Sequence, residues 1–167
     1  MNKKIALAWG LVFLAMMGYL FFIESDLPDR LAVHFDINGN PNGFQSKDAF
    51  ITTFLCFIFF INGLFLAMSW GISRLPTEII NLPWKQYWFA NEERKVVAFE
   101  KLRAVIGLTG IFVCVTFLFT EQVIYQANTK NTFFEFPINA GVVVIGVLAV
   151  FFIALVVIIT KPPTENG

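Results

Sequence analysis

Four long stretches of the chain contain no charged residue and consist mainly of apolar side chains. They cover residues 5–23, 49–73, 104–120 and 136–160 and are 19, 25, 17 and 25 residues long. A helix that crosses the apolar layer of a bilayer needs about 20 residues, and about 17 are tolerated. The strands of a membrane barrel would instead be about ten residues long and would alternate apolar with polar positions. The pattern therefore predicts an all-α, polytopic bundle of four transmembrane helices forming one domain over residues 1–167.

The third span is predicted to be part of a longer helix that begins before the membrane. Asn91 is a suitable N-cap, and Glu92 and Glu93 suit the positive end of a helix dipole. An apolar stripe with helical spacing follows the cap, while most of the charged residues lie off it. We expect one helix over residues 92–123, with Lys101 and Arg103 reaching back to water at the membrane surface.

The first span resembles a secretory signal peptide in one respect, because Lys3 and Lys4 form a short positive segment before it. Its apolar run, however, is longer than the 7–15 residues usual in such signals. The sequence Phe21-Phe22-Ile23-Glu24 also offers no small residue for cleavage. The sequence favours an uncleaved membrane anchor.

Lysine and arginine are distributed unequally between the connections. Of the twelve Lys and Arg residues, nine fall at the two termini or between spans two and three, and three fall in the other connections. The side that is rich in Lys and Arg is normally cytoplasmic. We therefore expect both termini and an inner loop over residues 74–91 in the cytoplasm, and an outer loop over residues 24–48. Indoles anchor helices at the membrane surface, and that role is expected at the inner boundary for Trp9, Trp70, Trp84 and Trp88.

Composition supports a membrane protein and excludes several functional classes. The chain is 57% apolar and 14% charged, whereas a soluble domain is about 25% charged. Its formal net charge is zero, so it has no basic field with which to hold nucleic acid. There is no catalytic Ser-His-Asp pattern, phosphate-binding glycine loop or HExxH motif. We expect no cofactor, and the lipid bilayer is the one partner that composition implies.

The predicted spans carry few polar side chains. Asn62 is the one amide well inside a span and is expected to join helices through hydrogen bonds. No Asp, Glu, Lys, Arg or His falls inside the four runs, which argues against an ion or proton pathway. Cys56 and Cys114 lie at similar depths, so inert packing, contact between the two thiols and a disulfide are all open.

The outer loop contains the chain's one histidine. A short strand is predicted over residues 32–36, and Asn38-Gly39 and Asn42-Gly43 are turn signals, so the loop should be compact and folded. On a strand His34 and Asp36 would share a face and are candidate metal ligands, although the sequence favours a histidine that hydrogen-bonds the loop backbone and holds the turn together. A calcium-binding loop is excluded because Pro41 and Lys47 replace the required glycine and acid.

The inner loop is rich in aromatic residues around Asn81, Pro83, Tyr87 and Trp88. Such side chains lie readily on lipid headgroups. They also make good anchors of a protein interface. Both interpretations, a headgroup layer and a partner-docking surface, follow from the same residues.

The outer loop resembles a bacterial membrane family, the domain of unknown function found in SdpI-like immunity proteins. The resemblance rests on Leu27-Pro28, on Val33-His34-Phe35, on the run from Gly39 to Phe44, and on Ser46-Lys47. A second element is similar to Asn81-Leu82-Pro83 followed by Tyr87-Trp88. Such proteins sense or neutralise a secreted peptide toxin, and one recruits a repressor to the membrane. The Arg-Thr-Pro-Trp-type motif of the immunity members does not follow Thr120.

These observations predict a bacterial inner-membrane protein whose outer loop recognises a secreted peptide or another membrane protein, in immunity or signalling. The predicted contact residues in the outer loop are His34, Phe35, Asp36, Asn42 and Phe44. In a signalling role, the inner loop would then contact a partner. Two alternatives from other classes are a membrane-embedded metal-dependent enzyme using His34 and Asp36, and a structural subunit of a larger membrane complex.

Overall fold

The computed structural model of the chain describes residues 1–36, 39–129, 146, 150 and 152–163. Most of these residues are helical. The long helices are α1 (Lys3–Ile23), α2 (Lys47–Gly71) and α4 (Glu92–Thr129), and the short α3 (Lys85–Trp88) lies between α2 and α4. In the described part of the chain, these three long helices are long and apolar enough to cross a membrane, which confirms three of the four predicted spans.

Side-chain caps fix where the long helices begin. The Asn2 side chain accepts a hydrogen bond from the Lys4 amide, and the Ser46 hydroxyl accepts one from the Ala49 amide. At the start of α4, Asn91 Oδ1 accepts from the Arg94 amide at 2.9 Å, which confirms the predicted cap. α4 then runs to Thr129, six residues past its predicted end, because residues 124–129 include no glycine or proline that would stop it.

The fourth predicted span, residues 136–160, lies mostly outside the described residues. Residues 152–160 are helical, and the end of this segment is held by two donors. Trp88 Nε1 donates to the Thr160 carbonyl at 2.7 Å, and Lys101 Nζ donates to the Ile159 carbonyl. The last carbonyls of a helix lack partners within it, so these bonds fasten the segment beside α3 and the first part of α4.

The described helices leave many large apolar side chains uncovered. Phe22 is 75% exposed, Phe60 is 67% exposed and Ile158 is 70% exposed. Such surfaces are costly in water and suit contact with lipid chains. The described helices therefore have the surface of a membrane protein.

α4 packs against both α1 and α2, and its contact with α1 has glycine on the α4 side. A Cβ at Gly110 would lie 2.5 Å from Trp9 Cε2, and one at Gly107 would lie 2.7 Å from Ile5 Cγ2. Small residues allow this approach in membrane helices. Trp9 is 4% exposed as a result. The prediction that Trp9 anchors the helix at headgroup level is therefore wrong, since its ring fills the interface between helices.

A two-stranded antiparallel sheet adds β-structure to the predicted all-α fold. β1 (Arg30–Phe35) and β2 (Pro41–Ser46) pair with Arg30 opposite Ser46 and with Phe35 opposite Pro41. We call this unit, residues 30–46, the hairpin. The prediction of a strand near residues 32–36 is confirmed with a shift of one or two residues, but Asn42-Gly43 is not a turn, because both residues lie within β2.

The bundle has two chemically different ends. At the hairpin end, α1 finishes, the hairpin packs, α2 begins and α4 finishes. At the other end, which we call the basic end, α1 begins and α2 finishes beside the first turns of α4. There Arg103 donates from Nε to the Ser69 carbonyl at 3.2 Å and from an Nη atom to Ser73 Oγ at 2.7 Å.

Candidate functional site

The hairpin is fastened to the helices by one side chain of α4. Asn128 Oδ1 accepts a hydrogen bond from the Ala32 amide at 2.8 Å, and Asn128 Nδ2 donates to the Ala32 carbonyl at 3.0 Å. The amide side chain thus satisfies both backbone groups of Ala32, as a neighbouring strand would. Leu27 and Leu31 are buried in the helix core beside it. These contacts fix the position of the hairpin on the bundle.

His34 lies on the exposed part of the hairpin and interacts across the strands. Its Nδ1 is 2.5 Å from Asn42 Oδ1. Gly43 stands opposite His34, and a Cβ at Gly43 would come within 2.8 Å of His34 Cβ. Glycine is therefore needed here for close approach of the strands and not for a turn. This arrangement agrees with the interpretation in which the histidine holds the loop together.

Asp36 organises the connection between the strands. Its Oδ1 accepts from the Asn40 amide at 2.8 Å, and its Oδ2 accepts from Asn40 Nδ2 at 3.1 Å. Gly39 has a φ of 82°, so the predicted turn residue does adopt the left-handed conformation that glycine favours. In the described part of the chain, no three His, Cys, Asp or Glu side chains come together as a metal-binding group. The metal role of His34 and Asp36 stays a prediction.

The hairpin presents an aromatic side chain to the surroundings. Phe44 is 49% exposed, and the guanidinium carbon of Arg30 lies 4.7 Å from its ring centroid. Cation–π contacts of this kind hold a ring in a defined orientation. Asn42 is exposed near Phe44 on the same strand, and Phe35 is half-buried at the end of β1. Of the five predicted contact residues, His34, Asn42 and Phe44 therefore form an exposed, ordered surface.

The inner-loop candidates lie at the opposite end of the bundle. Trp88 is 2% exposed and packs with Ile80, Leu82 and Phe99 in a small core of its own. The prediction that the Trp88 ring lies on headgroups is thus wrong, whereas Trp84 is 44% exposed and can lie there. Trp84 also has a φ of 54°, which is a strained value for a side chain of this size.

The remaining inner-loop candidates are more accessible. Tyr87 stacks under Arg94, whose guanidinium carbon is 4.1 Å from the ring centroid. Asn81 is exposed and Pro83 is half-buried. The structure therefore separates the two predicted groups: the hairpin residues lie at one end of the helices and the inner-loop residues lie at the other.

Asn62 joins the three long helices through a buried polar cluster. Its Oδ1 accepts from Trp9 Nε1 at 2.8 Å and lies 3.3 Å from Cys114 Sγ. Its Nδ2 donates to the Ile58 carbonyl at 2.9 Å. The predicted role of Asn62 in joining helices is confirmed by these bonds. Cys114 is buried and Cys56 is exposed, and both are free thiols, so the suggested disulfide is wrong.

Glu121 is a buried acid on α4 that directly follows the charge-free run of residues 104–120. It is 0% exposed, and neither carboxyl oxygen has a hydrogen-bond partner among the described residues. Two neighbours of Glu121 along α4 are polar and bond to other segments. Gln122 Oε1 accepts a hydrogen bond from the Tyr19 hydroxyl, and the Tyr125 hydroxyl donates to Asp26 Oδ2 at 3.2 Å. Helical spacing in the sequence could have predicted this burial, because Glu121 follows Cys114 by two turns and therefore lies on the same buried face of the helix.

The comparisons with known proteins match the region that contains the hairpin. The model of a family described as a domain of unknown function (DUF1648) matches residues 11–61. The matched region runs from within α1 through the hairpin into α2 and leaves out residues 81–88, where the second element of the resemblance lies. No curated protein and no solved structure matches the chain.

Proposed function

We propose that this chain is a bacterial inner-membrane protein of the SdpI-like kind, in which the hairpin recognises a secreted peptide or another membrane protein. The observation that carries the proposal is a pre-ordered, exposed surface on a rigid support. The two Asn128 bonds to Ala32 hold the hairpin in place. Recognition surfaces gain affinity when they are ordered before the ligand arrives, because less entropy is lost on binding.

The chemistry of the surface suits a peptide ligand. Phe44 supplies an exposed ring, and His34 and Asn42 supply polar groups beside it. An aromatic anchor with a polar surround is the common arrangement of a binding hot spot. The match to the domain of unknown function covers this region, which supports a role for the hairpin in what the domain does.

The proposed orientation follows from charge. Nine of twelve Lys and Arg residues lie at the basic end or at the termini by the sequence count, so we place that end in the cytoplasm. The hairpin would then face outward, where a secreted peptide arrives. The inner loop, with Trp84 exposed and Tyr87 half-buried, would face a cytoplasmic partner in a signalling role.

Substitution of the hairpin surface tests the proposal. Cells that express the wild-type chain are challenged with a panel of secreted peptide toxins, and growth is compared with that of cells carrying the empty vector. We expect the wild-type chain to protect against at least one peptide. Phe44→Ala and His34→Ala should each lower that protection at least tenfold at equal membrane levels. Gln45→Ala, an exposed neighbour on β2, is the matched control and should keep protection. Equal growth with and without the chain, or protection that survives both substitutions, contradicts the proposal.

A further inference from the structure

Four cationic side chains converge on a cleft at the basic end of the bundle. The cleft has a volume of about 660 Å³ and lies between the start of α1, the first part of α4 and Ile159. Lys3 and Lys4 line it from α1, and Lys101 and Arg103 line it from α4. Among the described residues, Glu100 is the one acid in its lining. The cleft therefore carries an excess of positive charge.

The cations of the cleft have no acidic partner within the described residues. The ion pair that the described residues form is Lys95 with Glu92, which lies outside the cleft. Lys101 and Arg103 are held by neutral acceptors instead, namely the carbonyls of Ile159 and Ser69 and the hydroxyl of Ser73. Like charges that are gathered without a counter-charge repel each other, so a bound anion would stabilise the arrangement.

The walls of the cleft are partly apolar. Ile5, Val97, Ala104 and Ile159 line it together with the cations. Both helices change character at this level, since the charge-free run of α1 begins at Ile5 and that of α4 begins at Ala104. This is the depth at which phospholipid headgroups meet acyl chains in a bilayer. A ligand that fits has an anionic head and an apolar tail.

We propose that the cleft binds the headgroup of an anionic phospholipid, with the phosphate between Lys3, Lys4 and Arg103 and an acyl chain along Ile5 and Ala104. Basic pockets between membrane helices bind such headgroups, and each Lys or Arg near the surface contributes about 1 kcal/mol to the attraction. The apolar wall favours a lipid over a free phosphate. Glu100 in the lining disfavours further anionic groups, so the site suits a singly charged headgroup.

The test measures lipid binding by the purified full chain in neutral detergent. Native mass spectrometry and thermal unfolding are recorded with phosphatidylglycerol, with phosphatidylcholine and with inorganic phosphate. We expect retained phosphatidylglycerol and a higher unfolding temperature with that lipid, and no comparable effect of the other two. Equal retention of both lipids, or an equal effect of inorganic phosphate, overturns the proposal.

Paired variants locate the site. Lys3→Gln with Lys4→Gln removes two charges whose side chains are exposed, and it should weaken phosphatidylglycerol binding about thirtyfold. Arg30→Gln with Lys47→Gln removes the same charge at the hairpin end and should leave binding within about twofold, since neither lines the cleft. Binding that falls equally in both variants shows a general charge effect and overturns the assignment. The unfolding temperature without lipid is the control for folding.

Discussion

Asn128 of α4 and Ala32 of β1 form a two-way hydrogen-bonded pair, at 2.8 Å and 3.0 Å, across 96 positions of sequence. The Asn128 side chain thus bonds to the edge of β1 that does not pair with β2. Isolated two-stranded hairpins are marginally stable, so this one depends on its attachment to the helices. Asn128 therefore links the membrane bundle to the surface that we propose for recognition.

Replacement of Asn128 should release the hairpin. Asn128→Ala leaves the buried Ala32 amide without its partner, which should lower the free energy of unfolding by about 1–3 kcal/mol. Hydrogen exchange should show faster exchange of the amides of residues 30–46 and little change in α2. Thr129→Ala is the control, because Thr129 bonds within its own helix to the Tyr125 carbonyl. Unchanged hairpin exchange in Asn128→Ala would show that other contacts hold the sheet.

Gly110 and Gly18 offer a matched pair of helix glycines. Gly110→Ala places a methyl group 2.5 Å from the Trp9 ring, whereas a Cβ at Gly18 meets nothing within 4 Å. We expect Gly110→Ala to destabilise the protein by about 1–3 kcal/mol through overpacking. Gly18→Ala should be neutral or slightly stabilising. Unfolding in detergent followed by tryptophan fluorescence gives both values, and equal effects at the two positions would contradict the packing of α1 on α4.

The bond between Asn62 and Trp9 can be measured by a double-mutant cycle. Asn62→Leu and Trp9→Phe each remove one partner of the 2.8 Å bond, and the double variant removes both. Hydrogen bonds between membrane helices contribute about 0.6 kcal/mol on average and up to about 1.7 kcal/mol. We expect a coupling energy in that range, near its upper end because both groups are buried. Strictly additive losses would mean that the two side chains do not interact.

Glu121 should lower the stability of the fold. Its carboxyl group gives up hydrogen bonds to water on burial and gains none from the described residues. Glu121→Leu should therefore raise the free energy of unfolding, by about 1–3 kcal/mol. Gln122→Leu, which removes the acceptor of the Tyr19 hydroxyl, should instead be destabilising. A large loss of stability in Glu121→Leu would show that the acid has a partner in the folded protein.

Local patterns predicted the helices and their caps, because these depend on neighbours in sequence. The bounds of α1, α2 and the start of α4 agree with the predicted runs to within about two residues. Tertiary contact overrode local preference at two places. Asn42-Gly43 has the composition of a turn but lies in a strand, and Trp9 has the position of a membrane anchor but fills a space that Gly110 leaves open.

The candidate sites were predicted less completely than the helices. His34, Asn42 and Phe44 were identified from their residue types and from turn signals, and the structure places them on one exposed hairpin. Asn128 and Glu121 were missed, because both lie beyond the charge-free run of the third span. A polar residue near the end of an apolar run is normally exposed, and only the tertiary packing shows that Glu121 is buried and Asn128 half-buried.

The sequence by itself determined that the chain builds long membrane helices and where most of them begin, since hydropathy and capping act over a few residues. It also determined which end of the bundle is basic. The tertiary structure decided which polar groups face each other: Asn62 with Trp9, Asn128 with Ala32, and the α1 lysines with Lys101 and Arg103 at one cleft. Those pairings join residues up to about a hundred positions apart. They depend on how the helices pack, which periodicity within one segment does not specify.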